Sequence, residues 1–281
     1  MNRRKHMRIF QNVPGKLDNR PTTASWPKPI HEISDLPPVY QPFILKYTSR
    51  GMNITNAVYQ EKARGAYFYA SEYVITWFEG QVILFVLRDQ VPEETVIRPA
   101  DITKIVRYEK LLYSELEIHF SRDARDVTCR ISYNTAREEL FHPVMGLLFA
   151  KDCSIPLAAM AEKDSTYGHL QLPTLAMTNL KVRCWQLCDR IYNYVYFTKK
   201  ERSPVGGRKK IFGEFFVAKT DRGFCMISKE DYFITTAYYF QNHIRKSYIE
   251  KKQFKGTLFL LMTTGTEKIE LEKLPENYEQ F

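Results

Sequence analysis

The chain has 281 residues, of which 44% are hydrophobic, 14% aromatic and 26% charged. That composition excludes a disordered chain, a collagen-like fibre and a disulfide-dense miniprotein. Lysine and arginine outnumber aspartate and glutamate by 41 to 32, a formal charge of +9. Two clusters carry the excess, one between Met1 and His31 and one comprising Lys199, Lys200, Arg202, Arg208, Lys209 and Lys210, so the remaining body is close to neutral.

The cysteines (Cys129, Cys153, Cys184, Cys188 and Cys225) are odd in number and irregularly spaced. They argue against a disulfide framework and for the reduced thiols of a cytoplasmic protein. Gln11, Asn12, Pro14 and Lys16 interrupt any apolar stretch after Arg3, Arg4 and Lys5, so no export signal is expected. Val82 to Leu87 and Val144 to Ala150, the most apolar segments, fall far short of the ~20 residues that span a bilayer.

Residues 1–35 are proline-containing, basic and poor in apolar side chains, and read as a flexible tail or a strap laid over the body. Leu36 to Thr48 reads as a short helix, with Asp35 as cap, Pro37 and Pro38 in its first turn, and Val39, Phe43 and Tyr47 at a spacing of four. From Asn53 the period becomes two. Ile54 to Tyr59, Ala66 to Ala70, Tyr73 to Phe78, Val82 to Arg88, Ile102 to Glu109, Leu111 to Phe120 and Val127 to Tyr133 read as strands. Glu79-Gly80, Pro92 to Pro99 and Ser121 to Asp126 read as turns between them.

Thr135-Ala136-Arg137-Glu138 fits a capping box, and Leu140, Phe141, Val144, Leu147 and Leu148 make an apolar helical stripe in which Pro143 predicts a kink or break. Residues 151–179 read as a linker. In the second half, Ile191 to Thr198, Ile211 to Lys219, Gly223 to Ser228, Ile244 to Lys251, Thr257 to Thr263 and Glu267 to Leu271 read as strands. This half repeats the first in outline: Ile102 through Ile118 lies over Ile244 through Leu260, and Thr76 to Val82 over Thr220 to Cys225 with one residue deleted.

Three stretches carry a likeness: Tyr73-Val74-Ile75-Thr76-Trp77-Phe78-Glu79-Gly80-Gln81-Val82-Ile83-Leu84, Asp101-Ile102-Thr103-Lys104-Ile105, and Ile131-Ser132-Tyr133-Asn134 leading into the helix. In order and spacing this resembles the pleckstrin-homology-like (PH-like) superfamily, in particular its bacterial members, over residues 53–149 and more faintly 190–272. The resemblance implies a mainly β (α+β) protein of tandem PH-like antiparallel β-sandwich or barrel units, the first closed by a C-terminal amphipathic helix. It divides the chain into a tail (1–35), a first unit (36–150), a linker (151–179) and a second unit (180–281), whose own closing helix is absent or replaced by Leu180 to Arg190. Such domains bind a phosphoinositide, a peptide or another protein and rarely catalyse, and the cations that hold inositol phosphates lie between their first two strands. In the second unit that loop is Lys199 to Lys210.

The chemistry left to assign is binding chemistry. Lys199, Lys200, Arg202, Arg208, Lys209 and Lys210, with Gly206 and Gly207, form either a phosphate clamp or a solvated hairpin tip. Tyr192, Tyr194 and Tyr196 alternate along one strand, giving either an interface or a face packed under the linker. A nucleic-acid reading would add Tyr238, Tyr239 and Phe240 for stacking, but the near-neutral body argues against it. Cys184 and Cys188, four apart, lack a partner set for zinc and read as buried thiols. His119, His142, Glu93-Glu94 and Glu138-Glu139 make no nucleophile-and-base constellation. No catalytic residue, metal or cofactor is assigned. The sequence therefore predicts a non-catalytic binding or scaffold module for a protein partner, cytoplasmic and able to sit peripherally at a membrane. The alternative is a binder of an anionic lipid headgroup or nucleic acid through the 199–210 loop and the N-terminal tail.

Overall fold

The computed structural model describes residues 26–64, 69–123, 125–151, 175–202 and 209–281. Most elements are antiparallel strands, and no helix among the described residues is long and apolar enough to cross a membrane. A five-stranded sheet runs in the order β1 (Lys28–Pro29), β2 (Ala57–Gln60), β5 (Tyr73–Phe78), β6 (Gln81–Arg88) and β7 (Val91–Ile97). β3 (Ala63–Arg64) and β4 (Tyr69–Ala70) make a small separate ribbon. Residues 65–68, which include the first three residues of the predicted strand Ala66 to Ala70, lie outside the described residues.

A seven-stranded sheet joins the two halves of the chain. Its first-half strands are β8 (Ile102–Lys110), β9 (Tyr113–Arg122) and β10 (Arg125–Asn134). Its second-half strands are β11 (Ile191–Arg202), β12 (Lys209–Thr220), β13 (Gly223–Glu230) and β14 (Phe233–Phe240). The order is β10-β9-β8-β14-β13-β12-β11, so the seam is the antiparallel pair β8 and β14, from Phe233 opposite Lys110 to Tyr239 opposite Lys104. β15 (Ile244–Lys252), β16 (Lys255–Met262) and β17 (Thr266–Leu271) form a third sheet.

The same succession of elements recurs at an offset of 142 residues: β6 begins at Gln81 and β13 at Gly223, β7 at Val91 and β14 at Phe233, β8 at Ile102 and β15 at Ile244, β9 at Tyr113 and β16 at Lys255. The 3-10 turn Pro99–Asp101 recurs as Gln241–His243. The irregularity between Ile102 and Lys104 recurs between Ile244 and Lys246. Leu111 (φ 53) matches Gln253 (φ 57), and Asp89 (φ 46) matches Asp231 (φ 51). The one-residue deletion expected between Thr76 and Thr220 does not occur. Thr220 pairs with Gly223 as Phe78 pairs with Gln81, so the offset is constant through that hairpin.

Alternation then decides which face each strand buries. In β9, Ser114, Leu116, Ile118 and Phe120 are buried while the intervening residues are half-buried, as the pattern predicts. This face packs on Tyr73, Ile75, Val82 and Leu84 of the five-stranded sheet, and the Tyr73 hydroxyl bridges the two sheets by donating to the Ser132 carbonyl at 3.2 Å. The opposite face, through Val195, Phe215, Val217, Phe224 and Tyr239, packs on Leu258, Leu260 and Ile269 of the third sheet. Each fully buried Leu, Ile, Val or Phe contributes on the order of 1.5–3 kcal/mol.

Three α-helices among the described residues cover what remains. α1 (Gln41–Thr48) lays Ile44 and Tyr47 over the outer face of the five-stranded sheet, against Val74, Ile83 and Phe85. It is shorter than predicted: Asp35 ends a 3-10 turn (Ile33–Asp35) and accepts from the His31 and Glu32 amides, and Pro42 rather than Pro37 or Pro38 opens the α-helix. The expected break falls at Pro143. A 3-10 segment (Thr135–Phe141), capped by Asn134 and not by Thr135, gives way to α2 (His142–Phe149) with the proline in its first turn. α3 (Leu175–Trp185) begins inside the stretch read as linker; residues 152–174 lie outside the described residues.

α2 and α3 share one apolar cluster with the seam. Phe149 of α2 meets Tyr238 edge-on at 5.6 Å and Phe240 at 5.8 Å, while Leu180, Cys184 and Trp185 of α3 join Phe216, Ala218 and Cys225. α3 therefore lies on the outer face of the β11–β14 meander, as α1 lies on its counterpart. It does not occupy the closing position proposed for Leu180 to Arg190. Phe281 instead is buried against Phe224 in the cluster between β11–β14 and the third sheet.

Candidate functional site

The basic cluster is built on a hairpin. β11 and β12 pair through Glu201 opposite Lys210 and Arg202 opposite Lys209, whereas β12 stops pairing with β13 at Glu214 opposite Lys229. Residues 209–213 with their β11 partners thus form an arm beyond the sheet, about 17 Å long at roughly 3.4 Å per residue. The arm places Lys199, Lys200, Arg202, Lys209 and Lys210 in its two strands; Arg208, with residues 203–207, lies outside the described residues. Lys199 Nζ stands 4.6 Å from the centre of the Phe215 ring.

The tyrosine stripe divides. Tyr192 is 61% exposed. Tyr194 stacks on Phe216 at 5.5 Å, and the Tyr196 hydroxyl donates to Glu214 at 2.8 Å, both packed against the core. Only Tyr192 presents a largely open ring. β11 itself is an edge strand, with no strand on its outer side among the described residues. Its counterpart β2 is different, because Lys28–Pro29 pair along β2's outer side.

Two features near the site escaped the sequence. β14 (Phe233–Phe240) was not read as a strand, and it buries Tyr238 and Tyr239, which removes them as stacking partners for bases. Secondly, Leu111 and Leu112 form the turn between β8 and β9, not the start of a strand, and with Tyr232 in the β13–β14 turn and Phe233 at the start of β14 they are 70%, 53%, 75% and 44% exposed. A pair of leucines where a two-residue turn favours asparagine and glycine was the available signal.

Side-chain chemistry gathers in three places. On the solvent side of β9 and β10, His119 Nε2 lies 2.7 Å from Glu117, Thr128 Oγ1 lies 3.1 Å from His119 Nδ1, and Arg130 pairs with Glu117 at 2.7 Å. The His119 hydrogen bond, aided by Arg130, pulls the Glu117 carboxyl down to about 2. Hydroxyl, imidazole and carboxylate stand in relay order, but Arg130 neutralises the carboxylate.

At the seam, Arg107 pairs with Glu138 (2.6 Å) and Glu109 (3.1 Å), and Arg183 of α3 pairs with Glu109. The ion cluster is electrically balanced and bordered by a cleft of about 20 Å³ that also touches Tyr238 and Phe149, room for a water molecule and not for an organic cofactor. Nearby, nearly buried Lys151 donates to the Trp185 carbonyl at 2.8 Å and to that of Cys188. Arg222 donates to the Phe149 carbonyl at 2.6 Å and pairs with Asp189 at 3.0 Å. Those contacts tie the ends of α2 and α3 to the β12–β13 turn.

Cys184, Cys188 and Cys225 lie under this knot. Burial raises the Cys184 thiol well above its ordinary value, and hydrogen bonding to Cys184 together with burial raises Cys188. Among the described residues no three His, Cys, Asp or Glu side chains come together as a metal-binding group.

No model of a known protein family matches this chain, and a search of curated proteins finds no match.

Proposed function

We propose that the chain is a non-catalytic binding or scaffold module of two PH-like units, and that it takes an extended segment of a partner protein along the outer edge of β11. What supports PH-like units is the repetition at an offset of 142: a four-stranded meander, a 3-10 corner and a three-stranded meander, run twice. In this reading α2 is the closing helix of the first unit.

The observation that carries the binding mode is the unequal treatment of equivalent edges. β1 supplies an added strand along β2, with Lys28 opposite Tyr59 and Pro29 opposite Val58. β11 offers the same kind of edge, twelve residues long, with Tyr192 exposed beside it. Strand addition would use the backbone for affinity and the exposed Tyr192 ring for selection.

Capture from cell extract at low and high salt tests this reading, followed by purification of the captured protein and direct binding. Capture should persist at high salt and after serine replaces Lys199, Lys200, Arg202, Arg208, Lys209 and Lys210, and should fall with Tyr192→Lys. Capture that survives Tyr192→Lys but is lost with the six serines would overturn it.

A second reading, an anionic ligand on the β11–β12 arm, is favoured by the projection of that arm past Lys229 with five cations in its strands.

A further inference from the structure

We infer that one end of the seven-stranded sheet docks on an anionic lipid bilayer, with Leu111, Leu112, Tyr232 and Phe233 entering the interfacial layer and the β11–β12 arm resting on the headgroups. This deepens the second reading above and rests on it. Strand register alone brings the parts together. Tyr113 pairs with Lys110, Lys110 with Phe233, Phe233 with Glu230, and Lys229 with Glu214. The β8–β9 turn, the β13–β14 turn and the base of the arm therefore leave the sheet side by side at the same end.

The apolar part is concentrated. Four of the eight exposed large apolar side chains among the described residues sit in these two adjacent turns or, for Phe233, directly at the end of one. Clustered exposed apolar residues mark a contact surface, whereas scattered ones do not. Leu111 holds a left-handed backbone (φ 53) that glycine or asparagine occupies at less cost, so neither the turn's conformation nor water favours a leucine there. Lys110 Nζ lies 4.3 Å from the centre of the Phe233 ring, and a lysine in that place can hold its ammonium at headgroup level while its stem stays with the ring.

Charge selects the occupant. Glu230 and Asp231 adjoin the apolar turn and give it no net attraction to anions, so the electrostatic pull comes from the arm, where Lys199, Lys200, Arg202, Lys209 and Lys210 outnumber Glu201, the one acid between 199 and 210. Apolar turns beside a basic arm supply the two signals that stable interfacial binding requires: insertion of an aromatic and aliphatic edge, and attraction to acidic lipid.

The test is co-sedimentation of the full chain with phosphatidylcholine vesicles with and without phosphatidylserine, and direct binding of soluble glycerophosphoserine. The parent should bind only the phosphatidylserine vesicles, and more weakly as salt rises. A variant with serine at 111, 112, 232 and 233 should lose about tenfold or more of that partitioning, and a variant with serine at 199, 200, 202, 209 and 210 should lose it to a similar extent. These side chains are exposed or lie on the arm, and unchanged thermal unfolding would show that each variant is folded. As a second measure, Tyr232→Trp should give a blue-shifted emission component on vesicles that the parent lacks. Vesicle binding lost with the arm cations but kept by the apolar variant overturns insertion and leaves the anionic-ligand reading standing. No binding to vesicles or to glycerophosphoserine overturns both.

Discussion

β7 and β14 occupy equivalent places in the two halves, yet β14 is hydrogen-bonded on both sides and β7 on one. The difference lies in what each strand carries. β14 offers Ile234, Thr236 and Tyr238 where β7 has Pro92, Glu94 and Val96. Tyr238 is fully buried beneath Phe149, whereas Glu94 turns to α1, accepting from the Tyr47 hydroxyl at 2.6 Å and from Lys46 at 3.0 Å. Proline cannot donate to a ladder, and charge on an edge discourages a neighbour. The same skeleton is thus a joint in one half and a protected margin in the other, and the two strands differ in the composition they bring to that edge.

The joint can be broken from its packing side. Phe149→Ala removes the ring that spans α2 and β14 and should cost about 3–5 kcal/mol by denaturant unfolding. Arg107→Ala should cost about 3 kcal/mol, because Glu109 and Glu138 lose a partner in a mostly buried cluster. At the equivalent position the second half has the uncharged Ile249, so the effect reports on the seam.

Acid sharpens the comparison differently. Glu117 corresponds to Phe259, so only the first half depends on ionisation at this site. The folded state holds the Glu117 carboxyl at about 2 against an ordinary 4.5. Its stabilising contribution is fully present above about 4.5 and is lost as pH falls toward about 2. Unfolding midpoints followed through that range should fall less steeply for Glu117→Gln than for the parent. A smaller change comes from copying the β14 edge onto β7. Pro92→Ile with Glu94→Thr should alter stability by no more than about 1 kcal/mol yet produce concentration-dependent association in sedimentation. Lys28→Ala, which removes the exposed pair with Glu61, should shift stability by under about 0.5 kcal/mol.

The sequence made the alternating strands legible because their buried faces are apolar at every second position, as in Leu116, Ile118 and Phe120. β7 and β14 were missed for separate reasons. Pro92 and two glutamates make an edge strand resemble a turn, and the Thr-Thr-Ala-Tyr-Tyr-Phe run, buried on both faces, lacks alternation. Losing β14 hid the joint and left Tyr238 and Tyr239 apparently available for stacking. The basic arm was visible as charge density, but its projection beyond β13 depends on where pairing stops, and the neighbouring Leu111-Leu112 and Tyr232-Phe233 turns become one surface only through the register of β8 with β14.

Native-state amide hydrogen exchange tests the shared sheet most directly. The amides of β14 from Thr235 to Tyr239 should all exchange slowly, with those of β9, since every one faces a paired neighbour on one side or the other. Fast exchange at every second β14 amide, the pattern due for β7 at its open margin, would contradict a continuous sheet across the two halves.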